Sequence, residues 1–468
     1  MPKRNIMKNN GEFKKMISDN SLYFLLGIVL LLIFFNSLFR YFDHDEFEAI
    51  HTSWKILNGE TIYIDFFQHH HPLLYYVMMP IIKIFGENVF TILFLRIIAY
   101  VLFLLILLIT YNLAILLFND KKIGLISLIF LSSSTFFFNK AIEIRPDVPQ
   151  VLFGLIAIYF FIIQFKKKTS KYTVFSALSL GLSFLFLQKA VFLIFCFLLF
   201  QLIRLYKNKI KLKQIFIYWI SFILILTPYL FHLLKKDFFA NYVLFNWIIN
   251  MKFTNSFYFF FYGLLESFKM NTILWSFFLI GLIFSRKYIF KEFCLLSLML
   301  LLSLFLIKAP YPQYYMILFP LMAIIAGFGV VKVINKRIAI IAIILAATVL
   351  PGFRLCENLK YNTNVNQLEK IKYVLSKTSG NDYVYDGNII FNIFNKDIDF
   401  FWFSFRPKTG GLAAYKTQFE YNYDIYKLID KYKPKIISNY YIDNMNNETI
   451  SKNYHPSDKY DDIFIRND

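Results

Sequence analysis

Acidic residues and histidines are concentrated in one early stretch of the 468-residue chain. Between residues 43 and 87 lie seven of the 15 acidic residues that precede Gly352 and five of the chain's seven histidines. A group of titratable side chains in one segment is what acid/base or metal-assisted chemistry requires. The acids are Asp43, Asp45, Glu46, Glu48, Glu60, Asp65 and Glu87, and the histidines are His44, His51, His69, His70 and His71.

A structural explanation fits part of the same pattern. Asp43 followed three residues later by Glu46 is typical of a capping box, and acids in a first helical turn favour the helix dipole. The group therefore also fits the start of a helix at the membrane interface. Residues 69–71 likewise fit a polar approach to Pro72 and an aromatic interface belt. The residue pattern alone leaves both interpretations open.

The composition indicates which elements must position these residues. Hydrophobic residues make up 58% of the chain, aromatic residues 20% and charged residues 17%, which excludes a disordered chain, a collagen-like fibre and an ordinary soluble protein. Several apolar runs reach the roughly 20 residues that a membrane-spanning helix needs. The pattern predicts a polytopic α-helical membrane protein with about eleven spans, at 21–39, 91–118, 123–138, 149–165, 173–187, 190–206, 214–233, 272–285, 293–307, 314–332 and 337–351.

The charge distribution predicts the orientation of these spans. The net charge is +20, and the surplus lies before Gly352, with 34 basic against 15 acidic residues, compared with 16 against 15 after it. Short lysine-rich connectors alternate with long lysine-poor ones, as the positive-inside rule describes for cytoplasmic and outer loops. We therefore expect a cytoplasmic N-terminus, an uncleaved first span and an outer C-terminus. The basic charge reports topology, and nucleic-acid binding is not indicated.

The residues after Gly352 have a different composition, since they are polar and rich in Asn and Tyr. Helix-like segments at 364–375 and 424–431 alternate with β-type runs at 382–385, 399–404 and 435–441, which predicts a small α/β domain. No Gly-x-Gly-x-x-Gly or P-loop pattern is present in the sequence. The expected organisation is a basic cytoplasmic segment at 1–20, a transmembrane domain at 21–351 with an outer loop at about 40–90, and an extracytoplasmic domain at 352–468.

The order of residues from Asp43 to Tyr76 resembles the first outer loop of GT-C glycosyltransferases. The similarity is to the branch that includes the aminoarabinose transferase of lipid A and the protein O-mannosyltransferases. That pattern has an Asp-Glu pair, a Gly followed by a Tyr, and a Pro-Leu-x-Tyr segment. Asp45-Glu46, Gly59, Tyr63 and Pro72-Leu73-Leu74-Tyr75 fill those places. His69-His70-His71-Pro72 stands where the aminoarabinose transferases have Glu-Lys-Pro-Pro.

Further segments match this superfamily in order. Glu143-Ile144-Arg145-Pro146-Asp147 stands where the family carries its second acidic residue, and Gln188-Lys189 stands where relatives carry a Lys-Gly, with Ala190 replacing the Gly. The structural alternatives are a helix N-cap for Asp147 and a snorkelling cation for Lys189. The segment from Lys308 to Tyr315 is similar to a late outer loop of the superfamily.

The resemblance implies an inverting glycosyltransferase at the outer face of the cytoplasmic membrane. Its donor would be a sugar on a polyprenyl phosphate, and its acceptor a hydroxyl of a glycolipid, glycan or protein. The implied catalytic residues are Asp45 as general base, Glu46 and Asp147, with Lys189 and Arg145 at the donor phosphate. Implied substrate contacts are Tyr63, His70, His71 and Tyr75, and a divalent metal ion is expected, if bound, at Glu46 and His69.

Two other classes share some of these features. A transporter or flippase of lipid-linked sugars also has many spans, but it places ionisable residues within spans and often shows paired repeats. An O-antigen polymerase or ligase would share the donor class, but a large late outer loop would be expected. The early group of acids favours the glycosyltransferase.

Overall fold

The computed structural model describes residues 18–167, 169–234, 238–252, 257–285, 288–303, 311–332, 336–387, 389–403, 424–442, 444–445 and 447–467. Parts of three predicted features lie outside these residues. They are the basic segment at 1–20, the end of the span at 293–307 and the start of the loop from Lys308 to Tyr315. The described chain is mainly helical, with one small sheet near the C-terminus.

Apolar helices fill the first half of the chain. They are α1 (Asp19–Phe39), α2 (His44–Leu57), α3 (Leu73–Phe85), α4 (Val89–Phe118), α5 (Lys121–Ser133), α6 (Thr135–Ala141), α7 (Asp147–Lys167), α8 (Ser170–Phe186), α9 (Val191–Tyr206) and α10 (Leu212–Leu233). A 3₁₀ turn, Gln188–Ala190, precedes α9.

Helices continue through the second half. They are α11 (Phe238–Val243, continued by a π-helical turn, Leu244–Ile249), α12 (Phe257–Met270), α13 (Thr272–Ile283), α14 (Tyr288–Ser303), α15 (Leu318–Lys332), α16 (Lys336–Ile344) and α17 (Leu350–Tyr361). A 3₁₀ turn, Pro312–Tyr315, precedes α15. The C-terminal part adds helices α18 (Val365–Lys377), α19 (Ile425–Tyr432) and α20 (Glu448–Asn453).

Each of the eleven predicted spans coincides with helix where the chain is described. Within the described ranges, six helical segments are long and apolar enough to cross a membrane. A seventh candidate is the pair α5 and α6, which is bent by 75° at Ser134. The fold is therefore that of a multi-helical membrane protein.

The chain forms two compact units, each made of three segments. Unit 1 comprises Met1–Arg40, Ile97–Pro228 and Asn255–Asn362, and unit 2 comprises Tyr41–Arg96, Tyr229–Thr254 and Thr363–Asp468. This division differs from the predicted boundary at residue 351, because the segment Tyr41–Arg96 belongs to the same unit as the C-terminal segment.

Close helix packing organises the core of unit 1. A Cβ atom on Gly281 of α13 would lie 2.1 Å from the Ile325 carbonyl oxygen of α15, and one on Gly329 would lie 2.2 Å from that of Phe277. Small residues at helix crossings let backbones approach in this way in membrane proteins. Glycine is therefore required where α13 crosses α15.

A four-stranded sheet lies in unit 2. Its strands are β1 (Val384–Tyr385), β2 (Ile436–Ser438), β3 (Tyr454–Pro456) and β4 (Ile463–Arg466), in the order β1-β2-β4-β3. Strands β1 and β2 are parallel, and the other two pairs are antiparallel. The predicted runs at 382–385 and 435–441 contain β1 and β2, whereas β3 and β4 have no predicted counterpart.

The predicted strand at 399–404 is not a strand in its described residues, 399–403. These residues form hydrogen bonds to the loop between α2 and α3. The Phe67 amide donates to the Phe400 carbonyl at 2.8 Å, and the Trp402 indole Nε1 donates to the Phe67 carbonyl at 3.0 Å. These two hydrogen bonds connect the segment to Phe67, whose ring centre also lies 5.1 Å from that of Phe401.

Candidate functional site

Asp45, the predicted general base, lies at the start of helix α2 in unit 2. Asp43 caps this helix, because its carboxylate accepts the Asp45 amide at 3.2 Å while the Glu46 carboxylate accepts the Asp43 amide at 3.0 Å. The capping-box pattern read from the sequence is therefore present. Asp45 itself is partly exposed in the first turn, where the helix dipole favours a carboxylate. Gly59, at φ +92°, turns the chain just after the helix.

Glu46 is fully buried and forms an ion pair with Arg96 of α4. Arg96 Nε lies 3.1 Å from Glu46 Oε2, and Arg96 Nη2 lies 2.5 Å from Oε1. The Arg96 guanidinium also lies 3.8 Å from the centre of the Phe42 ring. The structure thus gives Glu46 a supporting position, which differs from the expected catalytic and metal-binding one, because both of its oxygens bind protein groups.

A different group has the composition of a metal site. One ligand atom each from Glu48, His69 and His70 lies within 4.8 Å of the other two. A carboxylate with two imidazoles matches the His₂Glu ligand set of catalytic zinc sites. Gln68 Nε2 donates to Glu48 Oε1 at 2.9 Å and orients the carboxylate. Of the two expected metal ligands, His69 lies in this group and Glu46 does not.

Three expected substrate contacts are buried. Tyr63, His71 and Tyr75 are each 1% exposed or less. The Tyr63 hydroxyl donates to the His70 carbonyl oxygen at 2.5 Å, and His71 Nε2 lies 2.8 Å from the Tyr242 hydroxyl. Burial raises the pKa of Tyr63 well above 10.0, so it stays a neutral donor. These side chains hold the histidine segment in place, and of the four expected contacts only His70 is partly exposed.

An ion-pair cluster joins α2 to the C-terminal segment within unit 2. Asp397 Oδ2 lies 2.8 Å from His51 Nε2 and 2.7 Å from Lys55 Nζ. The Asn392 amide donates to the other Asp397 oxygen at 2.9 Å. Burial alone would raise the pKa of Asp397, but the charges of His51 and Lys55 outweigh it and lower the pKa below 3.8. The C-terminal segment thus anchors the helix that carries Asp45.

Unit 1 contains the other predicted residues. Asp147 is the first residue of α7 and is 2% exposed. Its carboxylate lies 3.5 Å from Lys189 Nζ, in the 3₁₀ turn before α9, and 3.5 Å from Arg145 Nε. The structure therefore brings Arg145, Asp147 and Lys189 together within unit 1.

Asp147 and Lys189 line a pocket with an empty volume of about 380 Å³, including open solvent. Lys189 Nζ also lies 3.9 Å from the centre of the Tyr314 ring, which packs against the cation. The pocket has polar groups from four separate helical regions and apolar walls. Its lining is Asp147, Gln150, Lys189, Phe192, Leu193, Leu300, Ser303, Gln313, Tyr314 and Ile317.

Sequence reasoning missed several of these residues. Glu48 was included in the early group of acids but received no metal-ligand role. Asp397 lies 342 residues from Lys55 in sequence, so no local spacing connects them. Arg96 is a single cation in an otherwise apolar run, and that isolation is a signal of a buried partner. Tyr314 belongs to the late segment that resembles the superfamily.

Residues 69–232 match the family described as dolichyl-phosphate-mannose-protein mannosyltransferase. The matched region includes His69 to Tyr75, Arg145, Asp147 and Lys189. A comparison with curated protein sequences finds no significant match.

Solved structures of two other proteins have similar folds. ArnT from Cupriavidus metallidurans, bound to undecaprenyl phosphate, has a TM-score of 0.64 with 11% identity, and the similarity covers 90% of this chain and 94% of ArnT. The archaeal oligosaccharyltransferase AglB from Archaeoglobus fulgidus, in complex with an inhibitory peptide and a dolichol-phosphate, has a TM-score of 0.51 with 12% identity, covering 90% of this chain and 70% of AglB. At these identities the similarity establishes the fold. The family match and the fold together confirm the predicted resemblance to GT-C glycosyltransferases, and this resemblance supports a membrane glycosyltransferase.

Proposed function

We propose that this protein transfers a sugar from a polyprenyl-phosphate-linked donor to an acceptor hydroxyl at the outer face of the cytoplasmic membrane. The observation that carries the proposal is a pocket lined by Asp147 and Lys189, in which Asp147 also pairs with Arg145. A carboxylate with two cations suits a ligand that has both hydroxyls and a phosphate.

Lys189 in this pocket and the ligands of the similar proteins support the donor class. ArnT was solved with undecaprenyl phosphate and AglB with a dolichol-phosphate, and the family description names a dolichyl-phosphate sugar. In our proposal Lys189 and Arg145 bind the donor phosphate and stabilise the negative charge that develops as it leaves. Asp147 orients a sugar hydroxyl.

Asp45 is the proposed general base. An acceptor hydroxyl must lose its proton as it attacks the anomeric carbon, and a carboxylate within hydrogen-bond reach accepts that proton. Asp45 is partly exposed, whereas its neighbour Glu46 is committed to Arg96. The reaction is a single displacement with inversion, in which the acceptor oxygen bonds to the anomeric carbon, the bond to the lipid phosphate breaks and the proton passes to Asp45.

A divalent metal ion fits the group of Glu48, His69 and His70. Such an ion would supply positive charge that orients a carboxylate, phosphate or hydroxyl ligand. His70 also provides a partly exposed imidazole within the region that carries the family match.

The proposed topology is an N-terminus in the cytoplasm, about eleven spans and an outer C-terminal domain. The lysine-rich connectors support it through the positive-inside rule. In this arrangement α2 and the histidine segment lie on the outer side. The acceptor is a glycolipid, glycan or protein on that side.

Release of the lipid carrier tests the function directly. Purified protein in vesicles would be given a labelled undecaprenyl-phosphate sugar and an extract of envelope glycolipids and glycans. We expect labelled sugar to enter the acceptor fraction with equimolar release of undecaprenyl phosphate. The Asp45→Asn variant should lose at least about 100-fold in rate.

The matched control is Asp65→Asn, because Asp65 is an exposed acid of the same loop. It should keep the wild-type rate. Full activity of Asp45→Asn would remove Asp45 from the role of base. Movement of intact donor across the vesicle without release of undecaprenyl phosphate would instead identify a flippase.

A further inference from the structure

Glu143 is a buried carboxylate on which three cations converge. Arg40 Nη2 lies 2.8 Å from Glu143 Oε1, Lys140 Nζ lies 2.9 Å from Oε2, and Arg145 Nη1 lies 3.3 Å from Oε2. The Glu143 side chain is fully buried, and that of Arg145 is 3% exposed. All four residues belong to unit 1. One carboxylate therefore compensates three cations in a poorly hydrated place.

The position of Arg145 depends on side-chain contacts. Arg145 lies in the non-helical stretch 142–146 between α6 and α7, where its carbonyl oxygen accepts the Val148 amide at 3.3 Å, and the contacts of its side chain decide where the guanidinium lies. Arg145 bridges two carboxylates, at 3.3 Å to Glu143 and 3.5 Å to Asp147. Glu143 takes the shorter of these contacts. It therefore keeps the guanidinium from pairing with Asp147 alone.

Loss of the Glu143 charge would change this balance. The three cations would repel one another without the carboxylate that they share, and unpaired charges are costly when buried. Arg145 would turn toward Asp147, the other carboxylate that it contacts. Both Arg145 and Asp147 would then be less available to a ligand in the Lys189 pocket.

We propose that Glu143 is a positioning residue that orients Arg145 for the phosphate of a polyprenyl-phosphate ligand. The inference rests on the proposed donor class. It assigns Glu143 no contact with the substrate, and its effect passes through Arg145.

Binding of undecaprenyl phosphate, measured as a thermal shift of the full chain in detergent, tests this role. Glu143→Gln keeps the shape of the side chain and removes its charge, and we expect about tenfold weaker binding. Arg145→Gln should weaken binding at least as much. In the double variant the two effects should not multiply, because Glu143 acts through Arg145. Glu143→Asp keeps the charge on a shorter side chain and replaces Glu143→Gln in the experiment if the Gln variant does not fold. It should bind undecaprenyl phosphate with intermediate strength.

A merely structural Glu143 would behave differently. In that case Glu143→Gln would lower the unfolding temperature measured without ligand, and its effect on binding would multiply with that of Arg145→Gln. If the effects of Glu143→Gln and Arg145→Gln multiply in the double variant, the positioning role is wrong. It is also wrong if both Glu143 variants bind undecaprenyl phosphate as tightly as the wild type. In either case the proposed donor class still stands. If the wild-type chain does not bind undecaprenyl phosphate, the donor class and this inference both fail.

Discussion

Arg96 and Glu46 form an ion pair in which both side chains are fully buried, with Arg96 Nε 3.1 Å from Glu46 Oε2. The pair joins the first turn of α2 to the start of α4. Asp45 is the residue before Glu46, so this buried ion pair fixes the part of the backbone that carries Asp45.

Glu46→Gln is therefore expected to destabilise unit 2. The change leaves the Arg96 guanidinium buried beside a neutral amide, and breaking a buried ion pair costs about 3–5 kcal/mol. We expect a lower unfolding temperature in detergent together with reduced transfer. The control is Glu266→Gln, which breaks a pair with Lys269, whose side chain is 59% exposed. Equal unfolding temperatures for the two variants would contradict a supporting role for Glu46.

Lys189→Gln tests the proposed phosphate contact. A fixed cation that stabilises the departing phosphate is expected to contribute about 100-fold to the rate. The loss should appear in kcat/KM for the donor. Lys213, an exposed lysine on α10, provides the control variant Lys213→Gln. Wild-type use of the donor by Lys189→Gln would leave Lys189 as a cation that only pairs with Asp147.

The contact between Asp397 and its two cations predicts how stability depends on pH. A lowered folded-state pKa means that the carboxylate stabilises the fold fully above about pH 4, and that this contribution is lost as the pH falls through the lowered value. Burial alone would lower the pKa of Lys55, but the charges of Asp397 and Glu60 raise it above 10.5. The Lys55 contribution is therefore present below pH 10.5 and lost as the pH rises through the raised value.

Asp397→Asn should remove this acid dependence and lower the unfolding temperature at neutral pH. The difference from wild type should be about 3 kcal/mol at pH 7 and should shrink below about pH 4. Thermal unfolding across this pH range measures it. Asp430→Asn, at an exposed acid of α19, should follow the wild-type curve. A pH-independent difference would show that Asp397 contributes through shape and not charge.

Metal binding to Glu48, His69 and His70 predicts a loss of bound divalent ion in Glu48→Gln and His69→Ala. Wild-type protein incubated with zinc and dialysed should retain about one ion per chain. Zinc should also raise its unfolding temperature, since an ion that binds only the folded state stabilises it. His455→Ala, at an exposed histidine, should retain the ion. Wild-type metal content in Glu48→Gln would remove this carboxylate from the ligand set.

The helical architecture was largely predictable from the sequence. Membrane-spanning helices must be apolar along their length, so their positions follow from composition. The start of α2 followed from Asp43 and Glu46, because a helix cap is a local pattern. The proximity of Asp147 and Lys189, 42 residues apart, was implied by family resemblance and not by spacing.

Partners distant in sequence were not predictable. Arg96 lies 50 residues from Glu46, and Asp397 lies 346 residues from His51. Such contacts depend on how helices and the C-terminal segment pack, and no short-range pattern encodes packing. Strands β3 and β4 were missed because they lie in a polar region without a clear β-type run.

The contact between His51 and Asp397 has a consequence for biosynthesis. Translation proceeds from the N-terminus, so α2 is made hundreds of residues before its counter-ion emerges from the ribosome. Contacts of such long range form late in folding. Until then α2 lacks the contact between His51 and Asp397. Ribosome-bound chains that stop before residue 397 should therefore remain inactive, although all of the helices up to α18 have been synthesised.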